Sequence, residues 1–197
     1  QYTLDAVKNS KLSMKYCFTM TDDKRVKNIC KKYGANTDYE RPKNLSNDKT
    51  LFSENLMHFY KWTKYKSINF KYIIILQPTS PMRTAKDLNS FLNLLEKKMP
   101  ESLISISKSL ENPQESIFLR NKKINFYLKN SIMKNRQDYP YDSYFINGAI
   151  YAVSKRNLEK NIFINFQKTS YFEMDKVNSF DLNDYDDLKI LKKLIKR

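Results

Sequence analysis

The chain has 197 residues, with 36 Lys and Arg against 21 Asp and Glu and a formal net charge of +15. That length suits one domain, or one domain with a modest appendage, and buries about 70% of the unfolded surface without a disulfide or metal staple. Hydrophobic residues at 41% exclude global disorder, and two glycines, Gly34 and Gly148, exclude any P-loop or GxGxxG turn within these residues.

Residues 2–9 predict a short helix carrying Leu4, Ala6 and Val7. Lys15–Met20 predicts a buried strand. Thr21-Asp22-Asp23 is an N-cap cluster for a helix from Lys24 to Tyr33, with Gly34 placed for a left-handed C-cap. Cys17 and Cys30 make no disulfide framework and read as small buried hydrophobes in a reducing compartment. An irregular loop spans 39–49, and Leu51, Leu56, Phe59 and Trp62 share one face of a helix to Tyr65. His58, the only histidine, leaves little for Ser-His-Asp catalysis or His-rich metal sites.

The continuous apolar run Tyr72–Leu76 predicts a strand buried on both faces. It is also the longest apolar run, far short of the about 18 residues of a membrane span. No signal-peptide layout opens the chain, so a cytoplasmic protein without membrane attachment is expected. Helix is predicted from Thr84 to Lys97 and strand over Ser102–Ser107. Residues 108–140 change character and predict an insertion of short antiparallel strands around Ile117–Leu119 and Ile124–Leu128. Phe145–Val153 returns as a strand, and Ser154 caps a short helix to Lys160. Tyr171–Met174 and Phe180 read as short strands, and Asp184–Lys196 as a closing helix with acids first and lysines last.

Strands alternating with helices predict a three-layer α/β fold with a mostly parallel sheet. The main domain is 1–107 with 141–197, and 108–140 is the insertion. Ligands of such sheets bind beyond the carboxyl ends of the strands. Lys and Arg are spread along the whole chain among Asn and Ile, with no RNP, zinc-finger or helix-turn-helix signature, so nucleic acid is not the expected partner. A small anionic substrate gains from the same positive field.

Four stretches at the expected rim carry chemistry. Gln77-Pro78-Thr79-Ser80-Pro81 ends the most buried strand and offers an amide and two hydroxyls on a backbone fixed by prolines; it also reads as a rigid strand-to-helix connection. Arg41-Pro42 presets a guanidinium for a carboxylate or phosphate, or is a solvated loop arginine. Asn147-Gly148 allows sugar contacts and close approach, or is a β-bulge. Asp181-Leu182-Asn183 places two oxygen ligands on one side of an extended segment, suited to magnesium, or is the start of a helix.

The order QPTSPMRTAKDL, RQDYP, FINGAIYA, SFDLNDYDDL resembles the acylneuraminate cytidylyltransferase (CMP-sialic acid synthetase) family over nearly the whole chain. TMTDDKRVKNICKKYGA followed by RPKNLSND resembles that family's second strand, helix and substrate loop. The resemblance implies a Rossmann-like sheet of the nucleotide-diphospho-sugar transferase type. It implies that CTP and a nine-carbon α-keto acid sugar combine to a CMP-sugar and pyrophosphate, with Mg2+ as cofactor. By it, Gln77 and Asp181 serve catalysis; Arg41, Gln77, Thr79, Ser80, Arg136, Asn147 and Gly148 bind the sugar acid; Asp22 and Asp48 face the nucleotide; Asp181 and Asn183 hold the metal. It further implies a homodimer joined through 108–140.

Two departures are visible. Asn183 stands where the family usually has a second Asp, which keeps an oxygen ligand and loses a charge. The family also opens with a strand and a basic Gly/Ser-containing triphosphate loop, roughly 25–30 residues by ordinary βα lengths, whereas these residues begin inside the helix that follows. A truncated or degenerate member acting as an interaction protein is the alternative, and an Ile/Val-rich strand with a basic Gly/Ser turn immediately upstream distinguishes the two.

Overall fold

The apolar run Tyr72–Leu76 forms strand β1, and its alternation sends side chains into two cores. Tyr72, Ile74 and Leu76 pack with Leu103, Ala149, Ile150 and Ala152 on one face. Ile73 and Ile75 pack with Val153 and Tyr151 on the other. In this computed structural model, residues 1–47, 49–129 and 134–195 are described.

Two helices cover the first face. Helix α1 (Tyr2–Lys8) contributes Ala6 and Val7, and α4, which runs Ala85–Lys98, contributes Leu88, Phe91 and Leu95. Lys11 ties the two by donating its backbone N–H to Asn89 at 2.8 Å and its ammonium to Asn93 at 2.9 Å. Thr84 and Asp87 form a reciprocal capping box at the start of α4. The opposite face is covered by α3, which runs Phe52–Tyr65, and by the short α5 over Lys155–Glu159; Leu56, Tyr60 and Leu158 fill that core. Between them, α2 (Lys24–Lys32) is capped by Asp23, whose carboxylate accepts from the N–H groups of Arg25 and Val26. Gly34 follows at φ +82°, the left-handed stop that the sequence predicts.

The main sheet has the order β1-β5-β2-β6, where β2 is Ser102–Lys108, β5 is Tyr144–Ser154 and β6 is Thr169–Glu173. The layered α/β class is as expected, with one refinement. Strands β1, β2 and β6 run the same way, but β5 lies antiparallel between β1 and β2, so only β2 and β6 pair in parallel. Hydrophobic periodicity reports which face is buried and carries no information on strand direction. Strands β3 (Ile117–Arg120) and β4 (Lys123–Phe126) form a separate antiparallel ribbon. The closing helix α6 spans Tyr185–Ile195.

Two predicted strands are corrected. Lys15–Met20 forms a 3-10 turn over Met14–Tyr16 and then one parallel bridge, Phe18 to Asn36. A strand needs a ladder, and here only residue 36 supplies one, bonding Cys17 and Thr19 on either side. Phe18 is held instead by aromatic contacts, 5.6 Å from both Phe59 and Trp62. Phe180 lies in an irregular segment, where its N–H closes a turn onto Val177.

Candidate functional site

The ladder between β1 and β5 ends at Leu76 opposite Ile150, and the residues beyond it build the site. Pro78 has no N–H to extend the ladder. On the other edge of β5, the register with β2 jumps from Tyr151 opposite Ile104 to Ile146 opposite Ile106, so residues 147–150 arch out as a bulge. Gly148 sits in that arch at φ +72°. A Cβ there would lie 2.5 Å from Gln77 Oε1 and 3.8 Å from the Tyr151 hydroxyl. The absence of a side chain is therefore what lets the Gln77 amide lie across the strand. The bulge reading and the binding reading of Gly148 describe one feature.

Asn147 is buried and hydrogen-bonded through both its oxygen and its nitrogen. Its Oδ1 accepts from the Ser105 hydroxyl at 2.5 Å and the Ala149 N–H at 3.1 Å, and its Nδ2 donates to Ser179 Oγ at 2.9 Å. Ser105 in turn accepts from the Ile150 N–H at 2.8 Å. Asn147 thus fixes the arch and straps the segment before Asp181 to it. The same segment is tied to the start of α4 by Asn178, which donates to Asp87 at 3.0 Å, and to the Pro-flanked loop by the Leu182 N–H, which donates to the Thr79 carbonyl at 2.7 Å.

These straps hold the Asp181 segment against the Pro-flanked loop at Thr79, and the Asp181 charge is felt at Tyr151, whose hydroxyl lies by Gly148. One carboxylate oxygen of Asp181 is buried without a hydrogen-bond partner among the described residues, as is the Ser80 hydroxyl. Burial raises the Tyr151 phenol above its ordinary value, and the nearby Asp181 charge adds to that shift. An unpartnered buried carboxylate oxygen is costly, and it fits one ligand to a magnesium ion that keeps several waters. Asn183 is exposed at the start of α6, with its backbone N–H on Asp187. Asp184 caps that helix by accepting from the N–H groups of Asp186 and Asp187, so the acids after 183 are accounted for by the helix start. Among the described residues no group of three or more His, Cys, Asp and Glu is arranged to hold a metal, so any ion here rests on few protein ligands.

Arg41 and Asp22 form a second cluster. The Arg41 guanidinium donates to Asp22 in an ion pair, which holds the Asp22 carboxyl below its ordinary value, chiefly by that hydrogen bond. Their loop is anchored by Tyr39, which is fully buried, bonds His58 Nδ1 at 3.0 Å and packs edge-on against Phe59 and Trp62. Among the described residues, the polar contacts of the Arg41 and Asp22 side chains join these two to each other and to Ser46. Asp48 lies outside the described residues, and so does the side chain of Arg136, whose backbone forms a 3-10 turn over Arg136–Asp138. An open cavity of about 280 Å³ between Phe18, Asn36, Trp62 and Ile68 includes none of Gln77, Asn147, Gly148, Asp181, Arg41 or Asp22 in its lining, and adjoins the second cluster only through Trp62. No residue pattern singles out Tyr151, Ser105 or Ser179; their roles follow from the arch at Gly148, which brings the Tyr151 hydroxyl beside it.

A family model described as cytidylyltransferase matches residues 1–192. The chain belongs to the cytidylyltransferase family. This cytidylyltransferase is 26% identical over 204 residues to the post-translational flagellin modification protein B of Campylobacter coli, covering 99% of this chain and 83% of that protein. It is also 26% identical over 199 residues to the CMP-N,N'-diacetyllegionaminic acid synthase of Campylobacter jejuni, covering 98% and 82%. Among solved structures, a CMP:2-keto-3-deoxy-manno-octonic acid synthetase complexed with CTP superposes at TM-score 0.66 with 14% identity, covering 100% of this chain and 86% of that one. A 4-diphosphocytidyl-2C-methyl-D-erythritol synthase from Anaerococcus prevotii gives 0.65 with 15% identity, covering 100% and 85%. At those identities the structures show a shared fold. The cytidylyltransferase is a nucleotidyltransferase enzyme, and no helix among its described residues is long and apolar enough to cross a membrane.

Proposed function

We propose that this enzyme activates a nine-carbon α-keto acid sugar with CTP, giving the CMP-sugar and pyrophosphate. The observation that carries the reading is the packing of Gln77 and the Tyr151 hydroxyl about Gly148 at the strand ends, with the Asp181 segment bonded to the same Pro-flanked loop, in a chain whose curated relatives include a CMP-N,N'-diacetyllegionaminic acid synthase. An amide and a phenol brought side by side over Gly148 suit a polyhydroxylated, amide-bearing sugar.

The sugar's anomeric oxygen forms a bond to the α-phosphorus of CTP, the bond from that phosphorus to pyrophosphate breaks, and the hydroxyl proton is lost. Gln77 orients the sugar, and Thr79, Ser80 and Gly148 shape the same crevice; such alignment contributes roughly 7–11 kcal/mol in favourable cases. Asp181, with Asn183 beside it, would hold Mg2+, which when bound offsets charge developing on the phosphates. Asn147 acts on this site by holding the arch and the Asp181 segment together. Arg41 is assigned to the loop that closes over the ligands, with Asp22 and Asp48 on the nucleotide side and Arg136 on the sugar side.

A homodimer formed through the β3–β4 ribbon is part of this proposal. Leu119 and Ile124 face one another across the ribbon and are 73% and 67% exposed, an apolar surface with no cover in one chain. A cytoplasmic location accords with its nucleotide substrate. The test is pyrophosphate release with CTP, UTP, ATP or GTP against N-acetylneuraminate, legionaminate and pseudaminate. The proposal expects turnover with CTP and at least one of these acids; release with no acid, or equal rates with other nucleotides, contradicts it.

A further inference from the structure

Arg83 is the most deeply buried cation among the described residues, 3% exposed, and all three of its hydrogen-bond acceptors are neutral. One guanidinium nitrogen donates to the Ala149 carbonyl at 2.6 Å and to the Gln77 carbonyl at 3.3 Å. The other terminal nitrogen donates to the Thr3 hydroxyl at 2.9 Å, and Nε is buried without a partner. Burial lowers its pKa to about 10, with Asp87 opposing that shift from a distance. A buried charge without a paired carboxylate is an expensive element, and replacing it with apolar packing would ordinarily be neutral or stabilising.

Its placement explains what it does. The β1–β5 register stops at Leu76 opposite Ile150, and the pair that would come next is Gln77 with Ala149. No ladder bond can be made there, because the chain arches at Gly148 and continues into Pro78 on the other side. Arg83 supplies a bridge in place of that missing rung, gripping both carbonyls with one nitrogen. Fixing the Gln77 carbonyl between a strand and a proline fixes its Cα–Cβ direction, and fixing Ala149 fixes Gly148 beneath the Gln77 amide. The forked guanidinium reaches Thr3 at the same time, which a single ammonium cannot do.

We infer that Arg83 is the positioning residue of the sugar-acid site, acting through Gln77 rather than on the substrate. It is too buried to touch a ligand in the crevice. The inference rests on the reading of Gln77 as a sugar-acid ligand, and the experiment separates the two.

The full-length protein and its Arg83→Met, Arg83→Lys, Gln77→Ala and Arg83→Lys/Gln77→Ala variants are assayed for pyrophosphate release, with KM measured separately for the sugar acid and CTP. Arg83→Met raises the sugar-acid KM about tenfold, the effect of losing a hydrogen bond to a charged donor, while the KM for CTP stays within about twofold. Arg83→Lys, which keeps the charge but gathers its donors on a single nitrogen, recovers part of that loss. In the Gln77→Ala background the Lys substitution adds nothing further, the non-additivity of residues acting as a unit. Should Arg83→Met not fold, the Lys variant and the double variant carry the test. A folded Arg83→Lys with wild-type sugar-acid KM, equal loss in both KM values, or full additivity with Gln77→Ala overturns the inference and leaves the site reading intact. A wild-type sugar-acid KM in Gln77→Ala itself overturns both.

Discussion

Replacing Gly148 with alanine tests the arrangement at the strand ends with one methyl group. The added Cβ would meet Gln77 Oε1 at 2.5 Å and Gln77 Cδ at 3.5 Å, and the backbone is at φ +72°. A left-handed conformation costs a residue with a Cβ about 1–2 kcal/mol. The clash is with the far end of a flexible side chain, so Gln77 swings aside at a further ~0.5–1.5 kcal/mol of rotamer strain. The sum, about 2 kcal/mol, lowers the melting temperature by roughly 4–8 °C for a chain of this size. The functional consequence is separate: losing the orientation of one neutral hydrogen bond, about 1 kcal/mol, raises the sugar-acid KM roughly fivefold. Thermal melts and initial-rate pyrophosphate assays read the two effects. In a Gln77→Ala background the clash is gone, so Gly148→Ala should then cost only the backbone strain and leave KM where Gln77→Ala put it. A Gly148→Ala enzyme with unchanged sugar-acid KM would refute the placement of the Gln77 amide over residue 148.

Four further outcomes are expected. Asn147→Ala breaks the Ser105–Ser179 connection and should cost about 2–3 kcal/mol in urea unfolding, as buried partners are left unsatisfied, together with a drop in kcat; an undisturbed urea midpoint would show that the strap is not formed. Asp181→Asn should abolish magnesium-dependent pyrophosphate release while leaving the unfolding free energy from urea titration within about 0.5 kcal/mol, because the oxygen concerned has no partner to lose; a wild-type rate would place the metal elsewhere. Asp22 is ionised more readily in the folded protein than unfolded, so its pairing with Arg41 stabilises the fold above the unfolded pKa and is lost as pH falls through the lower folded value; Asp22→Asn should flatten that acid-side decline, and an identical pH profile would show that the pair contributes nothing. Leu119→Asp with Ile124→Asp should convert a dimer into a monomer by light scattering without lowering the melting temperature of the monomer; a dimer that persists removes the ribbon from the interface.

Much of this molecule is legible in the sequence because local signals and tertiary structure agree. Tyr72–Leu76 is apolar at every position and becomes a strand with a core on each face. Thr84 with Asp87, Asp23 with Gly34, and Ser154 mark helix ends that the structure reproduces by hydrogen bonds. Failures occur where a neighbour decides the outcome. Segment 15–20 has strand-forming residues, but Phe18 is drawn into the aromatic group around Trp62 and the ladder stops after one bridge. The antiparallel course of β5 follows from how the chain returns after the β3–β4 ribbon, which no residue pattern encodes. At the site, Gln77, Gly148 and Asp181 stand out by residue type; the structure lays the Gln77 amide against Gly148 and bonds residue 182 to Thr79. Arg83 stands inside QPTSPMRTAKDL with no signal of its own; only the interrupted ladder shows why it is buried. Asn147 reads as a sugar contact, whereas its amide is spent on Ser105, Ala149 and Ser179.

The central claim is that the crevice at Gln77 receives the sugar acid. Steady-state kinetics of Gln77→Ala, with the acid and CTP varied in turn, address it most directly. The account predicts a large rise in KM for the acid, little change for CTP and an unchanged melting temperature; wild-type kinetics toward the acid, or a defect confined to CTP, would contradict it.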